Sequence, residues 1–237
     1  MRERGILMSG PMVRAILAGK KTQTRRAVRA PEVCPDCIAA SIPHPNGDGG
    51  MGLFGSAAYL RIPACDHFGE PVLGARVRCP YGAPGDRLWV RETWAGDDFY
   101  GAVYRADHPS ADLKAGELDS GEQSIRQWRP SLLMPRWASR ITLEVTGIRV
   151  ERAQDISDAD IEAEGVDAEA VDALWAAAKQ SRRAELWPFA REALADRGPP
   201  ADWRAIDNWR AAWTLINGRA SWDANPWVWV VSFRRTP

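Results

Sequence analysis

Apolar residues occur along this chain in short, spaced bursts, and their spacing predicts the elements. "GILM" (Gly5–Met8) reads as a short strand. "SGPMVRAILAG" follows as a helix: Ser9 can cap it, Pro11 sits in its first turn, Met12, Val13, Ile16 and Leu17 share a face, and Gly19 stops it. "PGDRLWVRETW" (Pro84–Trp94) is a turn feeding an alternating strand, and "GAVYRAD" (Gly101–Asp107) is another. The clearest strand signal lies within Arg136–Ile156, where Ile141, Leu143 and Val145 alternate and Ile148 and Val150 resume after a glycine. "SDADIEAEGV" predicts a short helix between a Ser157 cap and a Gly165 stop. Amphipathic helices over about 168–195 and 201–217 come next, split by "DRGPP", and "NPWVWVVSFRR" closes the chain as a hydrophobic strand.

Residues 27–80 break this regularity. They are rich in Pro and Gly ("SIPHPNGDGGMGLFG"), hold no sustained period and read as an irregular insertion. "GMGLFG" (Gly50–Gly55) fits G-x-G-x-x-G, but a nucleotide site needs a strand before it and a helix after it, so it reads as loop. Strands at both ends and in the middle, with helices between, predict an α+β fold. One small β-barrel with flanking helices would span 1–237 as a single domain, its terminal strands neighbours. The long loop insertion at about 27–80 and a helical insertion at about 168–218 would enlarge it.

With 237 residues the chain can bury a sizeable core, and most of its 12 tryptophans sit in apolar alternation that places them there. No run of eighteen apolar residues exists and "MRERGILMSG" lacks a signal-peptide core, which predicts a cytoplasmic protein without membrane contact. Structural disulfides are then not expected. Cys34, Cys37, Cys65 and Cys79 could in principle supply four thiolates to zinc. The later two have the wrong spacing for a second C-x-x-C knuckle, so free thiols and no metal are the favoured expectation. His44, His67 and His108 lie in loop-like stretches, and H-E-x-x-H, G-x-S-x-G and P-loop patterns are missing.

Charge is zero overall but segregated. Residues 1–30 hold eight basic groups against Glu3, and residues 151–180 hold nine acids against Arg152 and Lys179. The basic segment could attract an anion, or the two segments could neutralise each other. It contains "AGKKTQTRR" (Ala18–Arg26), with two of the chain's four lysines beside two threonines in a protein otherwise biased to arginine. A threonine hydroxyl needs its proton removed before it attacks. A lysine can do this if desolvation and neighbouring cations (here Lys20, Arg25 and Arg26) lower its pKa.

"SGPMVRAILAGKKTQTRR", "CPYGAPGDRLWVRETW", "MPRWASRITLEVTGIRVERAQDI" and "ADIEAEGV" together resemble an ASCH-domain protein of the PUA-like superfamily, of the longer type met in phages and prophages. The resemblance covers roughly half the chain and leaves out the insertion and the two C-terminal helices. It implies a small β-barrel with flanking helices, and an amidohydrolase activity like that of the compact members, which remove the acetyl group of N4-acetylcytidine without a cofactor. By motif it implies Lys21 as base, Thr24 as nucleophile and Glu164 as acid, with Glu162 a rival two residues away on another helix face. Lys20, Arg25, Arg26, Arg91 and Arg140 are then candidates for substrate or phosphate binding, and "KKTQTRR" reads as an active-site loop. The partner would be a modified nucleoside or RNA. Other members bind RNA or are nucleases, so a binding module without catalysis, or a ribonuclease, is the alternative, in which Arg87 and Arg136 would count as much as Lys21. Oligomeric state is left open.

Overall fold

The computed structural model describes residues 1–28, 77–97, 101–108, 128–167, 170–171 and 204–236, and between 51 and 76 the backbone of short strands. The architecture is mixed α+β around one five-stranded mixed sheet. Its strands are β1 (Glu3–Leu7), β2 (Gln23–Ala27), β8 (Arg87–Arg91), β11 (Thr142–Arg152) and β12 (Trp227–Arg235), in the order β1-β8-β11-β12-β2. β1 runs parallel to β8, and the other pairs are antiparallel. The two terminal strands thus share a sheet but are separated by β8 and β11 rather than adjacent. Pairing among the described residues does not close the sheet. Its two outer strands are nevertheless linked where Arg26 Nη2 of β2 donates to the Leu7 carbonyl at the end of β1, at 2.5 Å.

β12 explains how the layers form. Its run Val228–Val231 is buried on both faces, as expected of a central strand covered on each side. Trp229, Val231 and Phe233 enter one core with Ile6, Val90, Leu143 and Val145, while Val228 and Val230 enter a second with Ile161, Trp209 and Trp213. Helix α1 (Gly10–Leu17) covers the first core through Val13 and Ile16, with Pro11 in its first turn as its composition predicts. Helices α2 (Asp158–Ala163) and α3 (Ala205–Asn217) cover the second, and α4 (Arg219–Asp223) continues from α3. Ile141, Leu143 and Val145 are all buried as their alternation predicts, and the glycine break inside that region is a bulge between Val145 and Gly147 within one long strand.

Two expectations change. "GMGLFG" contains a strand, β3 (Met51–Phe54), not a loop. It pairs with β4 (Ala57–Arg61), which pairs with β7 (Arg76–Arg78); β5 (Ala64–Cys65) and β6 (Pro71–Val72) form a second small sheet. Part of the 27–80 stretch is therefore regular, held by backbone ladders where side-chain periodicity is weak. The remaining strands, β9 (Trp94–Asp97) and β10 (Gly101–Tyr104), form a hairpin. The helix expected over about 168–195 lies outside the described residues, apart from 170–171. No helix among the described residues is long and apolar enough to cross a membrane.

Candidate active site

The stretch Lys20–Arg26 is not a free loop. Gln23–Ala27 is strand β2, in register with Val228–Ser232 of β12, so that Thr24 faces Val231. Only the residues before it turn. Gly19 at φ 73° ends α1 in the left-handed region, and the backbone N–H groups of Lys20 and Lys21 both donate to the Ala15 carbonyl. Thr22 N–H then donates to the Ala163 carbonyl at the end of α2, and its own carbonyl accepts from Phe233 N–H. Lys21 is thereby fixed between two helix ends.

Helix α2 brings the partner. The Ser157 hydroxyl accepts from Asp160 N–H as its N-cap, and the helix stops at Glu164 and Gly165, the latter at φ 66°. Gly165 is required twice. Its φ suits glycine, and a Cβ there would lie 3.0 Å from Ala15 Cβ and 3.1 Å from Lys21 Cβ. This close approach lets Lys21 Nζ donate both to the Glu164 carboxylate at 2.7 Å and to the Glu164 carbonyl at 2.8 Å. The side chains are 0% and 2% exposed, so the pair is buried. Burial pushes the Lys21 ammonium below its usual 10.5, against the raising effect of Glu164 and with help from Arg26 and Arg25. Glu162, the rival acid, is exposed.

Arg25 completes the cluster. Its Nη2 donates to Glu151 at 2.7 Å and Asp160 at 3.1 Å, and its Nη1 lies 3.5 Å from Glu164 Oε1. Arg149 holds Asp160 through bonds of 2.8 Å, pairs with Glu151, and donates to Gln23 Oε1 at 3.0 Å. Burial alone would raise the Asp160 carboxyl, but Arg149 and Arg25 together hold it down at about 2. Lys21, Arg25 and Arg149 thus face Glu164, Glu151 and Asp160. The basic and acidic segments do neutralise each other here, and Lys20 adds an exposed pair with Asp167 at 3.3 Å.

Beside this cluster opens a pocket. Thr24, Arg25, Arg26 and Glu164 supply its polar side; Met12, Val166, Trp209, Trp213 and Ile216 supply an apolar one. Trp209 and Trp213 stand one turn apart on α3, with ring centroids 5.6 Å apart and planes tilted by 55°. The Trp209 indole N–H donates to the Ala153 carbonyl at 3.0 Å and that of Trp213 to the Ser221 hydroxyl at 3.2 Å, which fixes both rings. The sequence reading placed these tryptophans in the core and missed that they also face a pocket. Their spacing at i and i+4 is the only signal of it.

The other candidates are placed elsewhere. Arg91 bonds the Leu132 carbonyl and lies over Trp89, and Arg140 is held by both Glu92 and Asp107 over the Tyr104 ring. Arg136 pairs with Glu3. None of these, nor Arg87, lines the pocket. Cys79 is buried in the first core, and burial pushes its thiol up to about 11. Cys34 and Cys37 lie outside the described residues, and of Cys65 only the backbone is described. No group of three metal-binding side chains occurs among the described residues.

The site and sheet are those of an α+β protein with a buried lysine–glutamate pair at a tryptophan-lined pocket. No family model, curated protein or solved structure matches the chain.

Proposed function

We propose that this protein is a metal-free amidohydrolase that deacylates an N4-acylated cytidine or a related modified pyrimidine nucleoside. The observation that carries the reading is the buried Lys21–Glu164 pair, whose carboxylate shares a pocket with Thr24. Thr24 Oγ1 attacks the acyl carbon and its proton passes to the Lys21 amine, whose ammonium burial pushes below its usual 10.5. The C–N bond breaks as Glu164 relays that proton from Lys21 Nζ, 2.7 Å from its carboxylate, to the departing nitrogen, and water then hydrolyses the Thr24 ester. The resemblance to ASCH-domain proteins supports the same three residues. A PUA-like barrel is in keeping with the Arg26 link between the outer strands β1 and β2.

The alternative, a loop that grips phosphate, fits the charges poorly. Lys21 and Arg25 are already balanced by Glu164, Glu151 and Asp160, so a phosphate would have to displace a carboxylate. A neutral ligand with a flat ring suits the apolar wall of Trp209 and Trp213 better. Incubation with N4-acetylcytidine, followed by chromatography, tests the proposal. Cytidine and acetate should accumulate with wild type and not with Thr24→Ala; absence of product with wild type across N4-acylated pyrimidines overturns it.

A further inference from the structure

Arg25 carries an observation that the three proposed catalytic residues leave unexplained. Its side chain is fully buried, yet Nε and Nη1 have no hydrogen-bond partner among the described residues, while Nη2 has two. Buried guanidinium donors are normally satisfied, and two left unpartnered on a residue that lines the pocket mark a place where a ligand acceptor belongs. The other side of the pair is similarly open: Glu164 Oε1 has no hydrogen bond, and at 3.5 Å it is an ionic rather than a hydrogen-bonded neighbour of Nη1.

We infer that Arg25 is a further catalytic residue, which holds the substrate's acyl oxygen through Nε and Nη1. The inference rests on the amidohydrolase reading. As Thr24 Oγ1 bonds to the acyl carbon, the carbonyl π pair moves onto oxygen, and the two N–H donors stabilise the resulting oxyanion. When that pair returns to re-form the carbonyl, the C–N bond breaks and its electrons leave with the amine, which takes its proton from Glu164. Arg25 neither gains nor loses a proton. Its preorganisation comes from the other end of the fork: Glu151 and Asp160 clamp Nη2, and Arg149 clamps both acids in turn. Trp209 lies 5.9 Å from the guanidinium carbon and closes one side. The three carboxylates around Arg25 leave little net positive charge for a phosphate but do not occupy Nε, so the acceptor it suits is a carbonyl oxygen that becomes anionic only during the reaction. Arg26, by contrast, already donates to Leu7.

The test compares wild type with Arg25→Met on N4-acetylcytidine. Loss of one oxyanion donor typically costs about 100- to 1000-fold in kcat, and KM should change far less. Added guanidinium ion should restore part of the activity of Arg25→Ala, and ammonium at equal ionic strength should not. An unchanged kcat in folded Arg25→Met overturns the inference and leaves the amidohydrolase intact. If the variants fail to fold, wild type decides: replacing the acyl oxygen by sulfur, a weak acceptor, should slow the reaction strongly, and equal rates overturn the inference. If wild type hydrolyses no N4-acylated pyrimidine, the catalytic reading falls first, and calorimetry with N4-acetylcytidine then decides the role of Arg25. Binding lost in Arg25→Met supports it as the acyl-oxygen contact, whereas equal binding, or none by either protein, overturns it.

Discussion

On the proposed reading, residue chemistry and not charge alone decides what Lys21 and Glu164 do. An arginine at position 21 would keep the charge but stay protonated, so Lys21→Arg should lose nearly as much turnover as Thr24→Ala, which lacks the nucleophile. Glu164→Gln should lose turnover too, because an amide cannot protonate the departing amine. A phosphate-binding module would tolerate Lys21→Arg, so wild-type-like rates in that variant would sink the catalytic lysine. The pH profile adds a second reading. Burial lowers the Lys21 ammonium below 10.5, so kcat/KM should rise with pH through a limb below that value as the amine becomes free. The sign for stability is the same: between the lowered value and 10.5 the unfolded chain binds more protons, so stability rises with pH there. A rate that falls with rising pH below 10.5, with no rising limb, contradicts a lysine base. At this scale the resemblance singled out Lys21, Thr24 and Glu164, and the structure pairs Lys21 with Glu164 and sets Thr24 on the same pocket. Arg149, Glu151 and Asp160 were not singled out, because their pairing with Arg25 is made across the fold.

Helix ends place these residues, and the strand that carries Thr24 was the element hardest to read. Gln23, Thr24, Arg25 and Arg26 show no apolar alternation, so the stretch looks like a solvated loop. It is a strand because β12 pairs with it and because its buried polar side chains are matched by ion pairs rather than by apolar neighbours. The strands between 51 and 76 escaped for a related reason, being too short for a period to emerge. By contrast β11, β12, α1 and α2 were legible, each having an apolar pattern or a Ser/Gly boundary. Gly165 is where element geometry and chemistry meet. Gly165→Ala puts a Cβ against Ala15 and Lys21 at a φ of 66°, and should cost about 1–2 kcal/mol from the left-handed conformation, with more from the contacts. Because the shift falls on Lys21, activity should drop further than the loss of folded protein accounts for, measured by thermal melting beside turnover. A stable variant with full activity would show that the α1–α2 approach does not set the Lys21–Glu164 geometry.

Across the whole molecule, opposite charges segregated in sequence come together in space. The basic N-terminal segment meets the acidic 151–167 segment through Lys20, Lys21 and Arg25, while the sheet between them buries two apolar cores back to back. Lys21 and Arg25, matched by internal carboxylates, are not left to draw in a polyanion at this site. The dependence of binding on salt reads this directly. Each phosphate a protein neutralises releases counterions, and contacts to several phosphates cost orders of magnitude in affinity between about 50 and 200 mM salt. A neutral nucleoside seated on Trp209 and Trp213 releases none, and the buried Lys21–Glu164 and Arg25–Glu151 pairs are poorly screened. Affinity for N4-acetylcytidine, measured by calorimetry on Thr24→Ala to prevent turnover, should therefore stay within about twofold over that range. A steep fall would mean that the ligand displaces carboxylates from Lys21 or Arg25, and would return the site to the phosphate-binding reading.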